Sequence, residues 1–471
     1  MTLIAGIDSS TQATKVEVRD LDSGEVVAAG SRPHPATTPP RSEQDPQSWW
    51  SAFEGAWQDV GAPTVGAISV AGQQHGMVAL DSAGAVIRDA KLWNDTETAP
   101  DAGWLLKQLP GGAADWAAAC GSVPVAAFTI AKLSWLHRSE PDNWARLAHV
   151  LLPHDWMTYR LTGAMVTDRG DASGTGYWSA ATGEYCWDLL SIIDKDLDWS
   201  GVVPRVLGPL EAAGTWGDAV VAPGTGDNMA AALGLAVQPG DAVISLGTSG
   251  TVYSVSNTPT ADPTGAVAGF ADATGRYLPL VCTLNATKVT DTVARLLGID
   301  HAGLDALAMA APLGAGGVTL LPYFDGERTP NRPKATGVFT GIRSDATREQ
   351  IARAAVEGVV CGLLDGLDAL RSHVPDLSRV ILVGGGSRSM AAVQAFADLC
   401  DLDVVLADAD QAVATGAAVQ AAAVLQEIDP SEVARRWGLG ATRSAPRSES
   451  VTADAAQAVR ARYRELSARM A

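Results

Sequence analysis

The sequence predicts an α/β protein built from two similar domains, and three observations carry that prediction. A chain of 471 residues exceeds what one hydrophobic core serves and divides into two domains of about 200 to 250 residues each. Apolar strand, polar turn and second strand follow one another from Leu3 to Arg19 and again from Ala242 to Val255; such a repeat at the start of each half suggests duplicated domains. Glycine-rich turns lead into helices at Gly224–Asp227 and Gly384–Ser387, where missing Cβ atoms let a ligand come close to the backbone. The expected boundary leaves residues 1–238 in the first domain and 239–471 in the second.

Composition narrows the function. Hydrophobic residues make up 47% and charged residues 18% of the chain, which is globular rather than disordered. A formal net charge of −19 with no block of Lys and Arg excludes nucleic acid and anionic membrane surfaces as partners, because their phosphates would be repelled. A neutral substrate fits that field best. Five cysteines without CxxC spacing suggest neither zinc nor a disulfide framework, so buried reduced thiols are expected. The N-terminus lacks a basic leader and no apolar run approaches the roughly 18 residues of a membrane helix, so the expected compartment is the cytoplasm.

Taken in order, Leu3 to Ile7 is an apolar strand and Asp8–Gln12 a turn of small polar residues. Lys15 to Arg19 alternates like a half-buried strand, and Asp22–Glu25 turns it into a third. A helix carries Trp49 and Trp50 and ends near Asp59. Val65 to Ala71 reads as a buried strand, followed by Gly72-Gln73-Gln74-His75-Gly76 and a second apolar strand, Met77 to Leu80. Trp93-Asn94-Asp95 places an aromatic beside an amide and a carboxylate, a combination that stacks and hydrogen-bonds a sugar. From about Pro100 to Trp216 the text is helical and loop-like, with an amphipathic segment at Phe128–Leu136 and a Gly-, Ser- and Asp-rich loop at Asp168–Trp178. Asp227 opens an alanine-rich helix running to about Leu235, where the helix dipole and open N–H groups keep an ordinary carboxylate ionised. After the strand Ala242–Leu246 comes the turn Gly247-Thr248-Ser249-Gly250. Val318 to Phe324 is a strand, Thr347 caps a long helix reaching His373, and the strand Val380–Val383 ends in Gly384-Gly385-Gly386-Ser387 before a helix from Met390 to Leu399.

Three small-residue turns, at 8–12, 247–250 and 384–387, suit the phosphates and base of a nucleotide, while Gln74, His75, Asp227 and Asn228 suit a polyol. Neither G-x-x-x-x-G-K-[ST] nor G-x-G-x-x-G occurs at these turns. Phosphoryl transfer asks mainly for positioning and charge neutralisation, so N–H-rich turns and a metal-holding carboxylate point to a kinase.

The same residues carry a resemblance across nearly the whole chain. Gly6-Ile7-Asp8 with Thr11, Ser42-Glu43-Gln44-Asp45-Pro46 with Trp49-Trp50, Gln74-His75-Gly76, Trp93-Asn94-Asp95, Gly226-Asp227-Asn228, Ser245–Gly250, Gly326–Pro330 and Gly384-Gly385-Gly386 resemble, in order and spacing, the FGGY carbohydrate kinases, and among them the bacterial kinases that act on D-xylulose. The resemblance implies two ribonuclease H-like domains of the actin-like ATPase type with the active cleft between them. It implies ATP mainly on the second domain, sugar mainly on the first, and product D-xylulose 5-phosphate. By position, Asp227 is the general base, and Asp8 with Asp227 holds Mg²⁺. Gln74, His75, Trp93, Asp227 and Asn228 meet the ketose. Thr11, Gly247, Thr248, Ser249, Gly384, Gly385, Gly386 and Ser387 meet the nucleotide. A homodimer is among the expected states. Three departures stand out: Gln74 where many relatives have Met, Thr96-Glu97 where an Arg is usual, and Thr292 where a tryptophan is usual. Two alternatives stay open at this stage. One is a family kinase for another ketose or polyol, such as ribulose, glycerol or arabitol; the other, more distant, is a non-enzymatic actin-like assembly or sugar-sensing protein.

Overall fold

In the computed structural model, which describes residues 1–470, the chain forms two compact units. The first comprises Met1–Ala236, Ser256–Leu278 and Ala409–Gly440; the second comprises Val237–Val255, Pro279–Asp408 and the chain from Ala441 onward. The chain thus leaves the first unit at Ala236 and later returns to it twice.

In the first unit a seven-stranded sheet is ordered Gly214–Trp216, Ala219–Val221, Ala67–Gly72, Leu3–Ser9, Ala13–Asp20, Val26–Pro33, with Thr225–Gly226 also on Ala67–Gly72. Leu3–Ser9, Ala13–Asp20 and Val26–Pro33 form the antiparallel meander that the alternating text predicts. Ala67–Gly72 pairs parallel with Leu3–Ser9, and its six residues are all buried, as an unbroken apolar strand covered on both faces should be. One face packs under the helix Pro46–Asp59, whose buried Trp49, Trp50, Phe53 and Trp57 form one core with Ile7, Val18, Ile68 and Val70. Asp45 caps that helix by accepting the Gln47 N–H at 2.9 Å, and Pro46 fills the first helical position, where no N–H is needed. The other face meets a helix from far along the chain, Ala412–Gln426. Its buried Ser69 hydroxyl donates to Gln420 Oε1 at 2.7 Å, and Gln420 Nε2 donates to the Gly224 carbonyl at 3.0 Å.

The second unit repeats the plan. Asp241–Leu246 and Gly250–Ser254 are antiparallel, Gly250–Tyr253 pairs onward with Leu280–Thr283, and Arg379–Val383 then Asp403–Ala407 add in parallel on the other side. Antiparallel meander followed by parallel strands is the order of the first sheet, so the duplication is structural. The helix Arg348–Arg371 covers this sheet and starts with a capping box, Thr347 and Gln350 exchanging side-chain and backbone bonds. Among the described residues no helix is long and apolar enough to cross a membrane. None of the five cysteines forms a disulfide; Cys120, Cys361 and Cys400 are buried, whereas Cys186 and Cys282, expected inside, are half-buried.

Candidate active site

Parallel strands place their C-terminal ends along one sheet edge, the usual location of ligands in open α/β sheets. In the first unit Asp8 stands opposite Ala71, and Thr225-Gly226 opposite Ala71-Gly72. Asp8, the turn Gly72–His75 and Asp227 therefore leave three adjacent strands at one edge.

Asp227 is the first residue of the helix Asp227–Gly234, with Gly226 as its N-cap and no side-chain cap bond. Asn228 Nδ2 donates to Asp227 Oδ1 at 3.0 Å and to Gln74 Oε1 at 2.9 Å, joining two of the predicted sugar contacts to the predicted base. Contrary to the ordinary ionised carboxylate expected from the helix dipole, Asp227 is pushed up to about 7, first by burial and then by the charges of Asp8 and Asp171, against the bonds from Asn228. The dipole effect of roughly 0.3–1 kcal/mol loses here to desolvation and to like charges, either of which shifts a buried carboxyl by whole pKa units. Burial also raises Asp8, although Lys15 Nζ, 3.4 Å away, and the Ser10 hydroxyl pull it back. Asp8 and Asp227, both raised first by burial and Asp227 further by the charge of Asp8, offer hard carboxylate oxygens, and that chemistry suits Mg²⁺.

His75 is buried with φ +66°, and its Nδ1 lies 2.8 Å from the Gly174 carbonyl while its ring packs between Phe128 and Phe270, 5.0 and 5.5 Å away. Its own carbonyl accepts the Thr129 hydroxyl at 3.1 Å. Trp93 is half-buried and donates Nε1–H to Thr11 Oγ1 at 2.8 Å, so Thr11 stands beside the aromatic of the first unit. Asp95 is not presented to a ligand. Fully buried, it accepts the Ser42 N–H at 2.9 Å and pairs with Lys91 at 3.0 Å, and Lys91 also holds Glu43 and Glu97 and lies 4.0 Å over Trp135. The departure at Glu97 thus has a physical partner, a buried lysine.

In the second unit the two predicted nucleotide turns come together. Asp241–Leu246 and Arg379–Val383 are neighbouring parallel strands with Ser245 opposite Val383, so Gly247-Thr248-Ser249 and Gly384–Ser387 leave the same edge. The Thr287 N–H donates to the Gly247 carbonyl at 3.0 Å, tying the first turn to the helix Thr287–Leu297. A Cβ on Gly384 would sit 2.8 Å from the Leu246 carbonyl oxygen, and Gly384 has φ +88°; glycine is required there on both counts.

Sequence reasoning missed one cluster behind the first edge: His154, Asp155, Asp168 and Asp171, all buried. It also expected a loop over Asp168–Trp178, where Asp168 instead caps a short helix, Arg169–Ser173, through the N–H groups of Gly170 and Asp171. The signal was present in Pro153-His154-Asp155, a helix start, and in the i, i+3 pair Asp168 and Asp171.

Residues 3–234 match the N-terminal domain, and residues 242–425 the C-terminal domain, of the FGGY family of carbohydrate kinases. The xylulose kinase of Streptomyces rubiginosus is 46% identical over 464 residues, covering 96% of this chain and 93% of that one; the xylulose kinase of Escherichia coli K12 is 36% identical, covering 84% of each. The crystal structure of xylulose kinase from Bifidobacterium adolescentis is 41% identical, superposes with a TM-score of 0.87 and covers 99% of both chains. Two family domains in tandem, full-length relatives and a duplicated sheet with glycine turns at its edges agree: the chain belongs to the FGGY family of carbohydrate kinases.

Proposed function

We propose that the protein transfers the γ-phosphoryl group of ATP to D-xylulose, giving D-xylulose 5-phosphate and ADP. The observation that carries the reading is the linked set Asp227, Asn228 and Gln74, with Asp8 on the neighbouring strand: a carboxyl of raised pKa beside amides that can hold a polyol. The xylulose kinase relatives supply the identity of the sugar. In this reading Gln74, His75, Trp93 and Asn228 orient the ketose so that its 5-hydroxyl faces both Asp227 and the γ-phosphorus. Asp227 accepts the hydroxyl proton as the new O–P bond forms and the bond to ADP breaks. Gly247, Thr248, Ser249 and Gly384–Ser387 receive the nucleotide through backbone N–H groups, with Thr11 toward its phosphates. Asp8 and Asp227 would hold Mg²⁺, which supplies positive charge to the phosphates when bound. The same reading implies a cytoplasmic enzyme, with a homodimer among its expected states.

Only the carboxylate form of Asp227 can take a proton. Because its pKa is raised toward 7, kcat/KM for the sugar should fall as pH drops, with an apparent pKa between about 5 and 7 rather than the ordinary value near 4. A profile flat down to pH ~4.5 would contradict the assignment. The substrate itself is tested by ADP release with D-xylulose, D-ribulose, L-ribulose, glycerol and arabitol. D-xylulose should give the highest kcat/KM; a rival turned over about a hundredfold more efficiently, a difference of roughly 2.7 kcal/mol in transition-state binding, would replace it.

A further inference from the structure

The two turns assigned to the sugar lie against one buried imidazole. His154 is fully buried. Its Nδ1 is 2.6 Å from Asp171 Oδ2, and its Nε2 is 3.2 Å from Asp155 Oδ1 and 3.7 Å from Asp168 Oδ1. The surrounding carboxylates reach both turns. Asp168 accepts the Thr225 hydroxyl at 2.7 Å, two residues before Asp227. The backbone N–H of His75 acts on the Asp171 carboxyl, lowering its pKa, and the Gly174 carbonyl, at the end of the same short helix, lies 2.8 Å from the His75 ring nitrogen Nδ1. The ring is also seated by shape. A Cβ on Gly72 would stand 2.8 Å from His154 Cβ, and one on Gly224 would stand 2.5 Å from His154 Cδ2, so each turn carries a glycine where it touches this histidine.

We propose that His154, ion-paired with Asp171, Asp155 and Asp168, is a positioning residue for phosphoryl transfer, holding the His75 turn and the Asp227 turn at the separation the sugar requires. The inference rests on the reading of those turns as the sugar site. A histidine serving only to fill the core does not need three buried acids, since an apolar side chain of similar volume is usually no less stabilising than a buried ion cluster. Burial works against the imidazolium, but Asp155 and then Asp171 and Asp168 outweigh it and lift the ring to about 10. Charged at neutral pH, the ring attracts acids on both sides at once. Its positive charge also offsets that of Asp171, one of the groups that act on Asp227. Left-handed backbone at a non-glycine residue such as His75 persists only where its surroundings enforce it, and Asp171 and Gly174 provide that constraint.

The test compares His154→Gln, Asp171→Asn and Asp227→Asn in the full chain, assayed with whichever sugar the unchanged protein phosphorylates best. His154→Gln and Asp171→Asn should each raise the sugar KM and lower kcat by roughly ten- to a hundredfold, the scale of a displacement near 1 Å. KM for ATP should stay within about twofold, because the nucleotide turns belong to the other unit. A folded His154→Gln protein with unchanged sugar kinetics, beside an inactive Asp227→Asn, overturns this inference alone; an active Asp227→Asn overturns the site reading beneath it. Should His154→Gln fail to fold, nitrogen NMR of histidine-labelled unchanged protein decides. His154 should carry protons on both ring nitrogens at about pH 8, where an unperturbed imidazole is neutral, and its signals should shift when the sugar is added. A neutral ring, or one indifferent to saturating sugar, overturns the proposal.

Discussion

Asp227→Asn should lower kcat by about 10² to 10⁴ while leaving the protein folded and nucleotide affinity nearly unchanged. That loss corresponds to roughly 3 to 5 kcal/mol in the barrier. The substitution keeps the size of the side chain and one acceptor for the Asn228 amide, now 3.0 Å from Asp227 Oδ1, but removes the group that takes the proton. Stability should not suffer. Gly226 is the N-cap of this helix and Asp227 makes no cap bond, so the roughly 1 kcal/mol of a lost cap is not at stake. Removing a carboxyl that burial, Asp8 and Asp171 all push toward its neutral form relieves repulsion in the folded state instead. Turnover near the wild-type rate would require a different base.

Gly416→Ala should unfold or displace the helix that carries Asp227, although helix propensity alone favours alanine by about 1 kcal/mol. The helices Ala412–Gln426 and Asp227–Gly234 meet backbone to backbone. A Cβ on Gly416 would lie 1.8 Å from the Ala230 carbonyl oxygen, and one on Gly234 would lie 2.0 Å from that of Ala412. No rotamer change relieves a clash with a carbonyl, so the helices must separate. Overpacking of this kind costs about 3 kcal/mol or more, and any shift is passed to Asp227 and Asn228, which lie within one helical turn of Ala230. Gly103→Ala is the comparison: it lies in the helix Ala99–Leu105 with nothing within 4 Å of the added methyl, and should be neutral or slightly stabilising. Urea unfolding and kcat measured together on both variants distinguish the two. Equal stability of the Gly416 and Gly103 variants would contradict the close helix contact.

Much of this site was legible in the text because its parts are local. Asp227 opening an alanine helix, the glycine turns after Leu246 and Val383, and the meander after Asp8 each depend on neighbours in sequence. What could not be read is long-range. Ala412–Gln426 is apolar on nearly every side, which says that it is buried but not that it returns to the first unit to cover Leu3–Ser9 and Ala67–Gly72. The acidity of Asp227 depends on Asp8 and Asp171, hundreds and dozens of residues away, and so the local dipole argument pointed in the wrong direction. His154 looked like any histidine near a helix start until the fold set it among three acids. The expected loop at Asp168–Trp178 failed for a related reason, since Asp168 supplies a cap that composition alone does not distinguish from a turn.

The central claim, transfer from ATP to the 5-hydroxyl of D-xylulose, is tested most directly by phosphorus NMR of the unchanged protein with ATP, Mg²⁺ and D-xylulose. The account predicts that one D-xylulose 5-phosphate appears for each ADP, with little ADP formed when the sugar is omitted. Inorganic phosphate released in place of the sugar phosphate, or no ADP formed with D-xylulose while another polyol is phosphorylated, would contradict it.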